Sequence, residues 1–166
     1  MDVLVADDHS LFRDGIVSLL EAAGHQVVGQ VGNGAEAIEA AGELEPDLIL
    51  MDLNMPEVSG IEALRAIKRD QPRIRIVMLT VSEEDSDLLS AAQAGADGYL
   101  LKNLDGEEFI EMMDGLKRGE AAMTRKTAAR LLRKMSSPES ESDDGRDELT
   151  ERELELLQLV ARGLSN

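Results

Sequence analysis

The segment at residues 47–52 reads DLILMD and points to the fold class of this chain. Four successive apolar residues suit a strand that is buried on both faces, as strands inside a parallel sheet are. Similar short runs of β-branched and aliphatic residues occur before and after it. Together these runs predict five strands, at residues 2–6, 26–31, 47–51, 74–79 and 98–101.

Each predicted strand is followed by a segment with the apolar spacing of a helix. These segments are residues 11–23, 35–45, 58–71, 83–94 and 105–118. Five repeats of strand then helix predict an α/β fold, with a doubly wound five-stranded parallel sheet that carries helices on both faces. In such a sheet the ligand crevice lies at the carboxyl ends of the strands, so the residues there are the first candidates for a site.

Composition excludes several classes of function. The 166 residues include no Cys, which removes disulfides, thiolate catalysis and Cys-ligated metals. Only two His are present, which disfavours a zinc enzyme. The formal net charge of -17 should repel nucleic acid. The chain begins without a basic signal-peptide region and has no apolar run of ~20 residues, so we predict a cytoplasmic protein with no membrane partner.

The charge changes sign after residue 120, where we place the end of the first domain. Residues 121–135 hold five basic and no acidic residues, and a sixth helix is predicted at 123–135 with Thr124 as its cap. A basic amphipathic helix fits a membrane or nucleic-acid surface. The interpretation we favour is a linker helix whose apolar stripe packs on a neighbouring element.

Residues 136–148 read SSPESESDDGRDE and contain no apolar residue, so we predict a flexible tether that completes a linker region at 121–149. A capping box at Thr150 and Glu153 then begins a helix that runs to residue 161. Its apolar face has nothing to pack on in the residues that remain. Residues 150–166 are therefore predicted to be the truncated start of a second domain.

Five polar side chains directly follow four of the five predicted strands, the first, third, fourth and fifth. They are Asp7, Asp8, Asp52, Thr80 and Lys102. Three carboxylates in one crevice repel one another unless a cation neutralises them, and oxygen ligands suit Mg²⁺. The ammonium of Lys102 could pair with a carboxylate or with a phosphoryl group, and an aspartate can accept a phosphoryl group as an acyl phosphate. The alternative for Asp8 is a simple helix cap.

Four motifs occur in a fixed order: VADDH at 5–9, MDLNMP at 51–56 with Gly60, Thr80, and YLLK at 99–102. As an ordered set they resemble the flavodoxin-like receiver domain of two-component response regulators, over residues 2–119. The run LTERE at 149–153, with later residues to Ser165, resembles the opening of a LuxR-type helix-turn-helix. The whole layout resembles the NarL/FixJ subfamily, truncated within its DNA-binding domain.

The resemblance implies a role for each matched residue of the acid cluster. Asp52 would be the phosphoacceptor, phosphorylated by a sensor histidine kinase. Mg²⁺ would be held by Asp7, Asp8, Asp52 and the backbone carbonyl of Asn54. The receiver would not be an enzyme; it would switch conformation, form a homodimer on activation and control a DNA-binding domain, so that transcription regulation belongs to the full-length protein.

The resemblance also implies how the signal is bound and read. Lys102 and Thr80 would bind the phosphoryl group, and Thr80 with Tyr99 would form the switch, Tyr99 turning inward. Asn103 stands where many receivers have a proline in a cis bond, and a cis bond before a non-proline residue costs ~2.5–4 kcal/mol, so we expect a trans bond here. Contact with DNA is expected only through the part beyond Asn166, which would hold the recognition helix.

Two alternatives remain open from the sequence. One is a degenerate receiver that acts only in protein–protein contacts, although the set of acids, Thr and Lys is complete. The other is an aspartate-nucleophile phosphatase of the haloacid-dehalogenase type. That class needs a second acid two residues after the nucleophile, where this chain has Asn54. Neither His9 nor His25 is expected to have a catalytic role.

Overall fold

Six parallel strands form one sheet in the computed structural model, which describes residues 1–137 and Gln158. The strand order is β2-β1-β3-β4-β5-β6. The strands are β1 (Asp2–Ala6), β2 (Gln26–Val31), β3 (Leu48–Asp52), β4 (Arg75–Thr80), β5 (Gly98–Leu101) and β6 (Ala122–Met123). The helices are α1 (Ser10–Ala22), α2 (Gly34–Leu44), α3 (Gly60–Asp70), α4 (Asp85–Gln93), α5 (Gly106–Lys117) and α6 (Arg125–Ser136). The predicted doubly wound five-stranded parallel sheet is confirmed, and its five strands lie in the order β2-β1-β3-β4-β5.

The helices cover both faces of the sheet, and the side chains of β3 alternate between them. Ile49 and Met51 lie in a core formed with α2, α3, α4 and α6. Leu48 and Leu50 lie in a second core formed with α1 and α5. All five residues of β3 are buried. The apolar run that suggested a central strand therefore fills two cores at once, as expected for a parallel sheet.

The sixth strand was not predicted. It has only two residues, and it pairs in parallel with Gly98 and Tyr99 at the end of the sheet. Helix α6 consequently begins at Arg125, two residues after the predicted start. Its predicted cap is correct, because the Thr124 hydroxyl accepts a hydrogen bond from the backbone N–H of Thr127 at 3.2 Å.

The start of α3 was also predicted two residues too early. Ser59 and Glu62 form a capping box, in which the Ser59 hydroxyl accepts from the Glu62 backbone at 3.3 Å and the Glu62 carboxylate accepts from the Ser59 backbone at 2.9 Å. This reciprocal pair satisfies two N–H groups that a helix end leaves without partners. The helix therefore begins at Gly60, and the residues before it form the turn that leaves the end of β3.

The basic helix α6 packs on α4, a neighbouring element, as expected for its apolar stripe, and its role as a linker stays a prediction. Its residues Ala128 and Leu131 are buried against the core that α4 shares. Among the described residues, no helix is long and apolar enough to cross a membrane. The predicted tether beyond residue 137, the helix to residue 161 and the domain at 150–166 lie outside the described residues, Gln158 excepted, and the domain boundaries at 120 and 149 stay predictions.

We predict that Gly60→Ala destabilises the chain by about 2–4 kcal/mol. A Cβ at Gly60 would lie 2.1 Å from the carbonyl oxygen of Asp52 and 3.0 Å from the Cα of Leu53, so backbone would have to move. Gly15→Ala is the matched control, because a Cβ there meets no atom within 4 Å in the middle of α1. The free energy of unfolding of Gly15→Ala should exceed that of wild type by about 0.4–1 kcal/mol. Urea denaturation measures both, and equal stabilities would refute the steric reason.

We also predict that His25 makes stability depend on pH. Burial lowers the pKa of His25, the charges of Lys117 and the N-terminus lower it further, and Asp114 opposes them. Neither of its ring nitrogens has a hydrogen-bond partner among the described residues. The unfolded chain gains the proton near pH 6.5 and the folded chain does so only at lower pH. The free energy of unfolding should therefore fall as the pH drops through 6.5 towards the lowered pKa.

Urea denaturation of wild type and His25→Gln, between about pH 8 and about pH 5.5, isolates this contribution. The difference in the free energy of unfolding between wild type and His25→Gln should be constant above the pKa that His25 has in the unfolded chain. It should change as the pH falls below that pKa. Parallel curves over the whole range would show that His25 keeps its ordinary proton affinity in the folded chain.

Candidate metal centre

The candidate site lies at the carboxyl ends of β1 and β3, the two adjacent strands at which the strand order reverses. In open α/β sheets this switch point is where ligands bind. The pairing of Ala6 with Met51 sets the register of the two strands. It brings the next residues, Asp7 and Asp52, to the same edge of the sheet. Both carboxylates are buried, Asp7 completely.

Lys102 lies between these two carboxylates. Its ammonium Nζ is 2.7 Å from Asp7 Oδ2 and 2.9 Å from Asp52 Oδ2, and only 8% of its side chain is exposed. The same nitrogen lies 4.7 Å from the centre of the Phe12 ring. Phe12 was not among the predicted site residues, since only its contact with the ammonium distinguishes it from other apolar residues of α1. The predicted meeting of Asp7, Asp52 and Lys102 is thus present in the structure.

Asp8 and His9 form the open side of the cluster. The Nδ1 atom of His9 is 2.9 Å from Asp8 Oδ1, 3.4 Å from Asp7 Oδ1 and 3.7 Å from Asp52 Oδ2. One ligand atom from each of the four residues lies within 4.8 Å of the others. Three carboxylates converging on one point fit a hard divalent cation such as Mg²⁺. His9 was not expected to have a catalytic role, and its only signal in the sequence is its position directly after the two acids.

Of the remaining predicted residues, Asn54 binds the cluster, whereas Thr80 and Tyr99 both bind Ser82. The backbone N–H of Asn54 donates to Asp52 Oδ1 at 3.3 Å. The hydroxyl of Thr80, at the end of β4, accepts from the backbone of Ser82 at 2.9 Å. Within residues 1–137 it makes no hydrogen bond with Asp52. Tyr99 is already buried in this structure, and its hydroxyl donates to the carbonyl of Ser82 at 3.4 Å.

Burial and pairing set the protonation of the site. Burial raises the pKa of Asp52, and the hydrogen bond and charge of Lys102 partly offset that rise. Burial also works to lower the pKa of Lys102, but its hydrogen bonds to Asp7 and Asp52 outweigh burial and raise the pKa overall. Burial and then the charge of Asp87 raise the pKa of Tyr99 to about 12. The ammonium and the phenol therefore both keep their protons at neutral pH.

The loop after β5 keeps Lys102 in place without a cis bond. All peptide bonds of the described residues are trans, including the bond between Lys102 and Asn103, as expected. The backbone N–H of Lys102 donates to the carbonyl of Thr80 at 2.8 Å, which continues the pairing of β4 with β5 by one residue. The direction of the Lys102 side chain therefore follows from the sheet itself.

This fold with three acids and a lysine at its switch point defines a receiver, and the comparison of protein families agrees. The family described as response regulator receiver domain matches residues 3–114, and the chain belongs to that family. It is a signalling domain rather than a catalytic enzyme, so family membership speaks against the phosphatase alternative.

Individual relatives show the same relationship. The chain is 42% identical over 166 residues to the nitrate/nitrite response regulator protein NarP of Escherichia coli K12. This match covers 99% of this chain and 76% of the relative. A LuxR-family two-component response regulator from Aurantimonas sp. SI85-9A1 superposes with a TM-score of 0.75 at 31% identity, over 82% of this chain and 98% of that one. The isolated REC domain of RcsB from Salmonella enterica serovar Typhimurium, determined in the presence of phosphomimetic BeF3⁻, superposes with a TM-score of 0.73 at 26% identity. This match covers 79% of this chain and 98% of that one.

We predict that Lys102→Met destabilises the chain by about 3 kcal/mol at neutral pH without divalent cations, because two buried carboxylates lose their counter-charge. Added Mg²⁺ should restore much of this loss, since a cation that binds only the folded state raises its stability. Lys117→Met is the control: it breaks an exposed pair with Asp114 and should change stability by at most about 1 kcal/mol. Thermal or urea denaturation with and without Mg²⁺ measures these effects; equal losses in both variants would argue against the central ion pair.

Proposed function

We propose that Asp52 is a phosphoacceptor, which takes a phosphoryl group from a phosphohistidine of a sensor histidine kinase. The observation that carries this proposal is the position of Lys102, whose ammonium lies against Asp7 and Asp52 at the switch point of the sheet. Response regulators are partners of histidine kinases, so membership of the receiver family supports the phosphodonor. Asp7, Asp8, Asp52 and the backbone carbonyl of Asn54 would hold Mg²⁺.

In the proposed transfer, a carboxylate oxygen of Asp52 forms a bond to phosphorus while the bond from phosphorus to the imidazole nitrogen of the donor breaks. The imidazole leaves with the bonding electron pair and takes a proton from solvent. Lys102 balances the charge of the phosphoryl oxygens, and the Asn54 N–H keeps the Asp52 carboxylate oriented. When bound, Mg²⁺ supplies further positive charge for these oxygens.

The switch that we propose starts at Thr80. Its hydroxyl leaves the backbone of Ser82 and turns to the new phosphoryl oxygens, which are strong hydrogen-bond acceptors. The loop that carries Ser82 then moves, and with it the partner of the Tyr99 hydroxyl. We propose that this change favours a homodimer and so controls a DNA-binding domain in the cytoplasm, where transcription takes place. Residues 1–137 would not themselves contact DNA.

The test is incubation of the chain with Mg²⁺ and acetyl phosphate, followed by mass spectrometry of the intact protein. Wild type should gain one phosphoryl group, and Asp52→Ala should gain none. The matched control is Asp70→Ala, which removes an exposed carboxylate at the end of α3 and should label like wild type.

Each alternative gives a different result in the same experiments. Equal labelling of wild type and Asp52→Ala would refute Asp52 as the acceptor. No labelling, together with no stabilisation by Mg²⁺, would favour the degenerate receiver that acts only through protein contacts. Steady turnover of p-nitrophenyl phosphate would instead support the phosphatase alternative.

A further inference from the structure

Arg130, in the middle of α6, binds the segment that connects β4 to α4. Its Nε donates to Asp85 Oδ1 at 2.8 Å, and its Nη2 lies 2.7 Å from the same oxygen. The same Nη2 donates a short hydrogen bond to the backbone carbonyl of Glu83. Only 13% of the Arg130 side chain is exposed. One guanidinium thus holds both the end of the connecting loop and the first residue of α4.

The held segment begins directly after Thr80. Residues 81–84 form the whole connection between β4 and α4. Ser82 joins the two ends of the loop, because its backbone N–H donates to the Thr80 hydroxyl at 2.9 Å and its own hydroxyl donates to Asp87 at 2.6 Å. A displacement of Thr80 towards Asp52 would therefore disturb the loop whose far end Arg130 holds.

The charges of the two helices agree with this contact. Lys126, Arg130 and Lys134 recur every four residues and so lie on one face of α6. Lys126 lies 4.0 Å from a carboxylate oxygen of Glu83, and Lys134 lies 3.8 Å from one of Asp85. The hydrogen bond from Arg130 lowers the pKa of Asp85. The apolar side of α6 is buried through Leu131, so the ionic contacts lie beside a packed interface.

We infer that Arg130 is a clamp through which α6 holds the 81–84 loop in the position that leaves Thr80 away from Asp52, so that docking of α6 and phosphorylation of Asp52 oppose each other. This inference rests on the proposed function, and it adds the route by which the linker both reads and restrains the phosphorylated state. Coupling of this kind is reciprocal for binding: if a bound phosphoryl mimic weakens the docking of α6 by some factor, then the docking of α6 weakens binding of the mimic by the same factor.

The experiment measures both directions on the 166-residue chain, with BeF3⁻ and Mg²⁺ as the phosphoryl mimic. In wild type, BeF3⁻ should increase amide hydrogen exchange in residues 125–136. In Arg130→Gln, the affinity for BeF3⁻, followed by NMR shifts of the backbone amides, should rise by roughly fivefold or more.

Two further variants make the result specific. Arg133→Gln makes the same charge change on the same helix; its side chain is exposed and makes no ion pair within residues 1–137, so its affinity for BeF3⁻ should equal that of wild type. Asp85→Asn removes the other partner of the clamp without touching α6. It should reproduce the effect of Arg130→Gln, and the double variant should add little to either. Asp85→Asn also keeps the test valid if Arg130→Gln were to unfold α6.

The outcomes separate the two proposals. A wild-type chain that neither binds BeF3⁻ nor accepts a phosphoryl group would refute the proposed function itself. A responsive wild type with unchanged or weaker BeF3⁻ binding in both Arg130→Gln and Asp85→Asn would refute the clamp alone. Equal gains in Arg130→Gln and Arg133→Gln would also refute it, because the effect would then come from net charge.

Discussion

The ion pair of Lys102 with Asp7 and Asp52 is the interaction on which the rest of the site depends. Two buried carboxylates on adjacent strands repel each other unless a cation lies between them. The ammonium of Lys102 lies within 2.9 Å of both and supplies the opposite charge. The same ammonium can pair with phosphoryl oxygens, so the group that stabilises the resting site can also bind the product of the proposed reaction.

This ion pair depends in turn on the register of the sheet. Asp52 pairs with Leu79 across β3 and β4, and Thr80 pairs with Leu101 across β4 and β5, so that Lys102 follows at the same edge. A slip by one residue in any of these strands would turn its side chains to the other face of the sheet. The two apolar cores prevent such a slip, because the alternate residues of β3 fill both. Core packing therefore fixes the geometry of the charges.

The parts of the structure that could be predicted are those encoded by local patterns. The five long strands and the polar residues at their ends follow from apolar runs and from the rule that parallel strands end at one edge. The two-residue strand at Ala122–Met123 has too few residues for any period. The contacts of Phe12 with Lys102 and of Arg130 with the loop are also absent from local patterns, because each depends on how separate segments dock. For His9 the one local signal is its position directly after Asp7 and Asp8. The early start predicted for α3 had a local signal, the Ser59–Glu62 capping box, which was not used.

The basic segment shows how docking changes the meaning of a charge pattern. From the sequence alone, five basic residues without an acid fitted a membrane or nucleic-acid surface as well as a linker. In the structure, the face of α6 that carries Arg130 lies against Glu83 and Asp85, so part of this charge is paired within the chain. That face adjoins the loop after Thr80, whereas α1 and α5 pack on the opposite side of the sheet. Because the Thr80 loop meets α6 directly, a change at Asp52 has a short physical path to this helix.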